Sequence, residues 1–453
     1  MAKLWDKGYN INKEIEKFTV GDDYLLDQKL VKADCIGSIA HAIMLNKIKI
    51  LSGDELNKLK NELKTIIELN KKNKFLIKQE QEDIHTAVEN HLTKKLGDIG
   101  KKIHTCRSRN DQVIVDTRLY SKEKLIEIEE ALLKLCETLL SFAEKNKNIP
   151  MPGYTHTQKA MPSSVGLFAG AFLESLLDDL ILLKTAYKLN NQCPLGSAAG
   201  YGVSLPIDRQ FVSDLLGFGK VQNNVIYVQN SRGKVESIIL SALTQIMLDL
   251  GKLANDLILF STVEFGYFSI PKEFCSGSSI MPQKLNPCVL ELVRAKASVI
   301  ESYMFQLNSI IKNLFSGYNR DLQLTKEPLM KGIDLTLDSI NIIGLIISKL
   351  KVNKEKCIES CTPEIFATDY AYDLVKKGMP FREAYKEIAK NIGKLKKIDP
   401  VKNIKEKKHL GATANLGLDK IEKQIKESKE GLLKEKTDFE AKIKSILITS
   451  FYS

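Results

Sequence analysis

The 453-residue chain is 43% hydrophobic and 27% charged, which excludes global disorder and allows a sizeable core. Lysine and arginine outnumber aspartate and glutamate 67 to 56, a net charge of +11. No basic run is interleaved with aromatics, so the surplus reads as solvated surface or as attraction for a small anion, and nucleic acid is not an expected partner.

At roughly 150 residues per domain the length suggests about three domains. The expected boundaries are 1–106 for a mixed helical domain, 107–360 for a long-helix bundle and 361–453 for a small helical domain. The first residues, Met1 to Asp6, lack an apolar signal core, and no uninterrupted apolar run of about 18 residues occurs, so no membrane association is expected. The eight cysteines are scattered; Cys357 and Cys361 are the nearest pair, and no second pair completes a zinc site. They read as reduced thiols of a cytoplasmic protein.

Ser52 and Glu55 form a capping box that predicts a helix over about 54–70. Lys71, Lys72 and Lys74 follow as a solvated stretch, and then Glu80, Glu82 and Asp83 crowd His85. Carboxylates beside a histidine either tune its proton affinity or simply open a surface helix. In His104–Gln112, two arginines, a serine and an asparagine fall within four positions. Such a set suits bidentate capture of carboxylates, or equally a salt-bridged start of a helix.

Long helical stripes follow. Leu125, Ile128, Leu132, Leu135, Leu139 and Phe142 alternate three and four apart, as do Leu173, Leu176, Leu180, Leu183 and Tyr187. A third series runs from Ile239 to Phe260, a fourth from Val293 to Leu314, and a fifth from Ile333 to Ile347. This repeat predicts helices packed at shallow angles, with the stripes as core. Several of them are apolar beyond one stripe, as in Ile238-Ile239-Leu240, so the bundle is expected to pack against copies of itself.

Polar clusters mark the helix ends: Pro152–Gln158 before the second stripe, Tyr318–Glu327 between the fourth and fifth, and Ser276–Pro287 before the fourth. Asn286 reads as an N-cap and Pro287 as a first helical residue. A helix start there, with Lys284 beside it, suits an anion. Strand alternation is confined to a short piece at Asn224–Gln229. Beyond Cys361 the helices shorten, and a charged helix is expected over about 418–448.

The clusters hold no metal quartet, dinucleotide fingerprint or nucleophile elbow. They hold cations (Arg109, Lys284, Lys326), amides (Asn110, Asn286, Gln323) and proton carriers (His156, Ser278, Ser279). This set suits removal of a proton next to a carboxylate, where positioned cations and N–H groups lower the cost of the resulting dianion.

The chain resembles the fumarase/aspartase superfamily and, within it, the argininosuccinate lyases. The matching pieces are R-S-R-N-D-Q at Arg107–Gln112, P-G-Y-T-H-x-Q at Pro152–Gln158 and M-P-Q-K-x-N-P at Met281–Pro287. L-E-L-V-R at Leu290–Arg294, Y-N-R-D-L-Q at Tyr318–Gln323 and the run Ala367–Ala384 complete the set. The resemblance implies an all-α, three-domain subunit whose five central helices join a twenty-helix core in a homotetramer. It implies cleavage of argininosuccinate to L-arginine and fumarate by anti elimination through a carbanion, as the last step of arginine biosynthesis. No cofactor or metal is implied, and each active site would draw on three subunits.

Residue by residue, the resemblance makes Ser278 the proton-abstracting base, with Ser279 as the neighbouring alternative. It makes His156 the handler of the leaving nitrogen's proton, Glu291 its carboxylate partner, and Lys284 and Asn286 holders of the dianion. Ser108, Arg109, Asn110 and Thr155 would contact the fumarate-forming half; Tyr318, Gln323 and Lys326 that half or the arginine-forming one.

Three places depart from the family pattern. Cys106 stands where glycine is common, so a different turn is expected there. Thr19-Val20-Gly21-Asp22 replace the usual F-x-x-S-I, which leaves a substrate serine unplaced, and Arg232 stands in an altered S-x-R-D. Two other readings stay open: another fumarate-releasing lyase (adenylosuccinate lyase, aspartase or fumarase), or a catalytically silent crystallin-like protein.

Overall fold

A computed structural model of the chain describes residues 12–448, and the Met1–Asp6 stretch lies outside them. Among the described residues the chain is mostly helical, with three two-stranded sheets. Helices α1 (Val31–Lys47), α2 (Gly53–Lys71) and α3 (Ile84–Leu96) pack around Ile39, Leu59, Ile66 and Leu92. The capping box at the start of α2 is present: Ser52 Oγ accepts from Glu55 N at 3.2 Å, and Glu55 Oε2 accepts from Ser52 N at 2.9 Å.

Five long helices follow: α4 (Arg109–Asn146), α5 (Val165–Asn190), α6 (Lys234–Phe260), α7 (Cys288–Ile311) and α8 (Lys326–Lys349). The six stripe residues from Leu125 to Phe142 are all buried, as are those of α5 and α6. In the fourth stripe Met304 and Ile311 are only partly buried, and Leu314 lies beyond the end of α7. Helix α6 is the one described helix long and apolar enough to cross a membrane, but 61% of that window is buried inside the protein. The last helix, α9 (Leu418–Ile448), lies back along the bundle, with Leu418 and Leu432 in the bundle core and Ile446 in the core of the N-terminal helices.

Bundle helices consecutive in the chain run antiparallel, so the bundle has two ends. At the first end, Arg118 near the start of α4 donates to Gln192 O just past α5 (2.6 Å) and to Ser231 Oγ just before α6 (2.8 Å). Ser237 of α6 donates to Asn308 of α7 (2.5 Å), while Arg294 donates to Asn255 at the other extreme of the same pair (2.8 Å). The second end is capped by an aromatic cluster in which Phe260 meets Tyr154, Phe168, Phe265, Tyr267 and Phe268.

Three local expectations are corrected. The Asn224–Gln229 piece is helical: Asn224 Oδ1 accepts from Tyr227 N (2.9 Å) and caps a turn over Val225–Asn230. The two longest strands among the described residues, β1 (Pro150–Thr155) and β2 (Gln158–Ser164), make an antiparallel hairpin around His156 and Thr157. Its two loop residues have φ of 52° and 59°, as a two-residue turn of this hand requires, yet neither is the usual glycine or asparagine, so the hairpin signal was absent from the sequence. Lastly, α7 starts at Cys288, because Asn286 is taken up in a backbone bridge with Ser276 instead of capping the helix.

Gly166 lets α5 begin hard against the end of α4: a Cβ there would stand 2.6 Å from Lys147 Cα. Gly166→Ala is therefore expected to lower stability by roughly 1–3 kcal/mol in urea unfolding, and an unchanged midpoint would contradict this close approach.

A second test concerns Asp179 on α5. Burial, together with Asp249 of α6, pushes its carboxyl up to about 7. A carboxyl raised in this way binds its proton more tightly in the folded state. Its stabilising contribution is whole below about pH 4 and is lost as pH rises through about 7. Asp179→Asn stays neutral, so its melting temperature should exceed wild type at about pH 8 and match it near pH 4. Thermal melts check this, and equal shifts at both pH values would count against it.

Candidate active site

At the first end of the bundle a cleft of about 130 Å³ is lined by Asp23, Asp27, Asp83, His85, Arg109, Asn110, Val113, Arg232, Tyr318, Arg320, Gln323 and Lys326. Five residues singled out from the sequence therefore converge here: Arg109, Asn110, Tyr318, Gln323 and Lys326.

The first wall of the cleft is the start of α4. Ser108 is its N-cap: Ser108 Oγ accepts from Asn110 N (3.3 Å), and Asp111 Oδ1 accepts from Ser108 N (3.0 Å). Asp111 is fully buried, and its other oxygen accepts from Gly196 N and Ala198 N, which ties the neighbouring loop to the helix start. The turn before it rests on α1, where Arg107 donates to Ser38 Oγ (2.8 Å) and His41 Nε2 meets Thr105 O (2.8 Å). Cys106 in this turn has φ 61°, so the expected change of turn does not occur: the cysteine takes up the left-handed conformation that glycine favours.

The cations here are held by the chain's own carboxylates. Arg109 Nη2 reaches Glu82 Oε2 at 3.2 Å and also pairs with Asp83. Burial works against the Arg109 charge, but Asp83 and Glu82 outweigh it and hold the guanidinium above its ordinary value. Lys326, the first residue of α8, places Nζ 2.5 Å from Asp23 Oδ1 and 2.5 Å from Asp27 Oδ1. It too is buried, and the two aspartates overcome that burial to keep the ammonium charged.

Behind them, His85 Nδ1 lies 2.9 Å from Asp34 Oδ1 and 3.6 Å from Asp116 Oδ2. The crowding of Glu82, Asp83 and His85 does mark a helix start, where Asp83 Oδ1 accepts from Thr86 N (2.9 Å) to cap α3, but that start is buried in a network of polar groups and not at the surface. Asp34, His85 and Asp116 are the one group among the described residues whose ligand atoms lie close enough to hold a metal ion. Within the trio, Asp34 and His85 are joined directly by a hydrogen bond.

A second wall comes from the N-terminal segment. Thr19 O accepts from Arg320 Nη2 (2.8 Å) and from Gln323 Nε2 (3.1 Å), and Val20 O accepts from Gln323 Nε2 (3.1 Å). Asp23 and Asp27 are the residues that sequence reading passed over. Their signal was an i, i+4 acid pair in Asp23–Asp27, which puts both carboxylates on one helix face.

The remaining predicted residues sit at the opposite end. Thr155 and His156 are exposed at the hairpin tip, which Tyr154 anchors through its hydroxyl contact with Tyr267 (2.6 Å). Ser278, Lys284, Asn286 and Glu291 belong to the loop and first turn that open α7. Ser276 and Asn286 exchange both backbone hydrogen bonds (2.9 and 2.8 Å), which closes the loop at its base. Ser278 Oγ accepts from Ile280 N (3.3 Å) and Met281 N (3.1 Å), whereas Ser279, Lys284 and Glu291 are exposed. The 27 residues of α6 that separate the two ends span about 40 Å, so one subunit cannot bring both sets together.

A family model described as a lyase matches residues 14–301. An argininosuccinate lyase of Thermotoga neapolitana is 48% identical over 394 residues, covering 87% of this chain and 99% of its own. One of Bacteroides thetaiotaomicron is 43% identical over 431 residues, covering 95% and 96%. Among solved structures, an EDDS lyase in complex with formate shares the fold with a TM-score of 0.83 at 21% identity, over 97% of this chain and 95% of its own. A class II fumarase from Schistosoma mansoni does so with a TM-score of 0.69 at 18% identity, over 83% and 90%. The chain belongs to the argininosuccinate lyase family of the fumarase/aspartase superfamily.

Proposed function

We propose that the chain cleaves argininosuccinate to L-arginine and fumarate by anti elimination through a carbanion, in the cytoplasm, as the last step of arginine biosynthesis. The observation that carries this reading is the convergence of Arg109, Asn110, Tyr318, Gln323 and Lys326 on one cleft, in a chain of this family. Cations and amides gathered there suit a substrate rich in carboxylates.

In this reading Ser278 takes the proton from the carbon next to a carboxylate. Lys284 and Asn286 hold the dianion that forms, and the carbon–nitrogen bond then breaks. His156, paired with Glu291, returns a proton to the leaving nitrogen. A serine is a weak base unless its alkoxide is stabilised. The N–H groups of Ile280 and Met281 pointing at Ser278 Oγ favour that charged form. Thr155 and Ser108 complete the contacts to the fumarate-forming half; Ser108 would do so while still capping α4.

The active site so assembled needs more than one subunit. The roughly 40 Å between the two residue sets supports a homotetramer in which the second end of one bundle meets the first end of another. The outward faces of the bundle point the same way. Ile181, Leu248, Leu292, Phe305 and Leu345 are exposed on α5, α6, α7 and α8, which leaves apolar surface for other copies to cover.

Two experiments test this. Ser278→Ala should reduce fumarate release from argininosuccinate by at least ~10²-fold while light scattering still reports a tetramer; an active variant would remove Ser278 from the role of base. Arg109→Ala and His156→Ala, each inactive alone, should regain activity when their subunits are mixed, because some hybrid sites then carry both native residues. Hybrids as inactive as the parents would show that the two ends do not share a site.

A further inference from the structure

We infer that Asp23 reads the α-ammonium group of the arginine-forming half of the substrate. The inference rests on the argininosuccinate lyase reading above and adds a specificity residue to it.

The argument begins with unequal partners. Lys326 offers one ammonium to two carboxylates, Asp23 and Asp27, at 2.5 Å each. Asp27 is fully buried and commits its second oxygen to the fold, where Asp27 Oδ2 accepts from Ile84 N at 3.1 Å. Both aspartates border the cleft, but only the Asp23 side chain keeps open surface there, 13% of it. Behind Asp27 stands Asp116, fully buried, with neither oxygen hydrogen-bonded. Asp34, the next acid along, already has His85 and Arg107 beside it. Burial and the neighbouring acids Asp34 and Asp27 push the Asp116 carboxyl well above the carboxylate range, so it keeps its proton. Asp23 and Asp27 are thus left to share the one Lys326 ammonium, and of the two Asp23 is the one open to the cleft.

A carboxylate that shares its only ammonium in a low-dielectric site is costly until a further counter-charge arrives. Burial accordingly pushes the Asp23 carboxyl up to about 6, and Asp27 adds to the shift. A ligand cation at Asp23 relieves this cost, whereas a ligand anion there would add to it. Argininosuccinate carries both kinds of group. Its succinyl carboxylates suit the Arg109 wall. Its guanidinium is bonded to the succinyl carbon and so must lie near the reacting atoms. The α-ammonium, at the far end of the arginine chain, is the cation free to reach Asp23. Arg232 lies beside Asp23 with a buried, unpartnered Nε and can meet the adjoining α-carboxylate. An acid and a base side by side make a reader of an amino-acid head group.

The test uses the full-length protein in both reaction directions. Asp23→Asn should raise KM for argininosuccinate roughly 10- to 100-fold, the loss of one charged hydrogen bond, with kcat within about threefold of wild type. In the reverse reaction the KM for arginine should rise by a similar factor while that for fumarate stays unchanged. Asp23→Glu keeps the charge and should recover part of the arginine KM. Unchanged KM values, a rise for fumarate as large as for arginine, or equal arginine KM values for the two variants would overturn the assignment. A wild-type protein that releases no fumarate would instead overturn the lyase reading itself.

Discussion

An α-helix rises about 1.5 Å per residue and cannot fold back on itself, and this rod-like constraint governs the rest of the molecule. Helix α4 alone has 38 residues, and α6, α7 and α8 have 27, 24 and 24. Chemistry carried at their termini is therefore sorted to one end or the other. The start of α4, the loop before α6 and the start of α8 meet at the first end, with Arg109, Arg232 and Lys326. The hairpin after α4 and the loop before α7 stand at the second end, with His156 and Ser278. The fold thus presents two half-sites on rigid supports, and the apolar surface left along the bundle is what could bring half-sites of different copies together.

The first half-site is organised by buried charge. Lys326 and Asp27 are 2% and 0% exposed, and burial of either alone would cost several kcal/mol. Their pairing, extended through Asp23, ties the segment before α1 to the first turn of α8, across 299 positions of sequence. Arg320 and Gln323 add hydrogen bonds to the backbone of the same segment. One network therefore both closes the wall of the cleft and keeps its cations charged. Removing a single member would leave its partner buried and unmatched, which is why such sites tolerate change poorly.

Both half-sites also hold backbone in sparsely populated regions. His156 and Thr157 at the hairpin tip have φ of 52° and 59°, and Cys106, three residues before Arg109, has φ of 61°. A β-branched residue in this region is an outlier and costs of order 1–3 kcal/mol. The strain is held by the surroundings: Tyr154 packs into the aromatic cap beside the hairpin, and Ser38 and His41 pin the turn near Cys106. His156 is thereby presented on a short, stiff turn and not on a loose loop.

How much of this was legible beforehand depends on the range of the interaction. The stripes of α4, α5 and α6, the box at Ser52–Glu55 and the all-helical class are local patterns, and the sequence by itself determined them, because periodicity and capping involve residues only a few positions apart. Residue types and the family resemblance also named five residues of the cleft, Arg109 and Asn110 from one segment, Tyr318, Gln323 and Lys326 from another. Only the tertiary structure decided that the hairpin forms around His156, since its turn lacks the usual residues and is imposed by packing. Only it recruited Asp23 and Asp27 to Lys326 and turned His85 inward to Asp34. Those pairings join groups that are distant along the chain, and burial in a shared low-dielectric interior, which no short stretch of sequence encodes, is what makes them form.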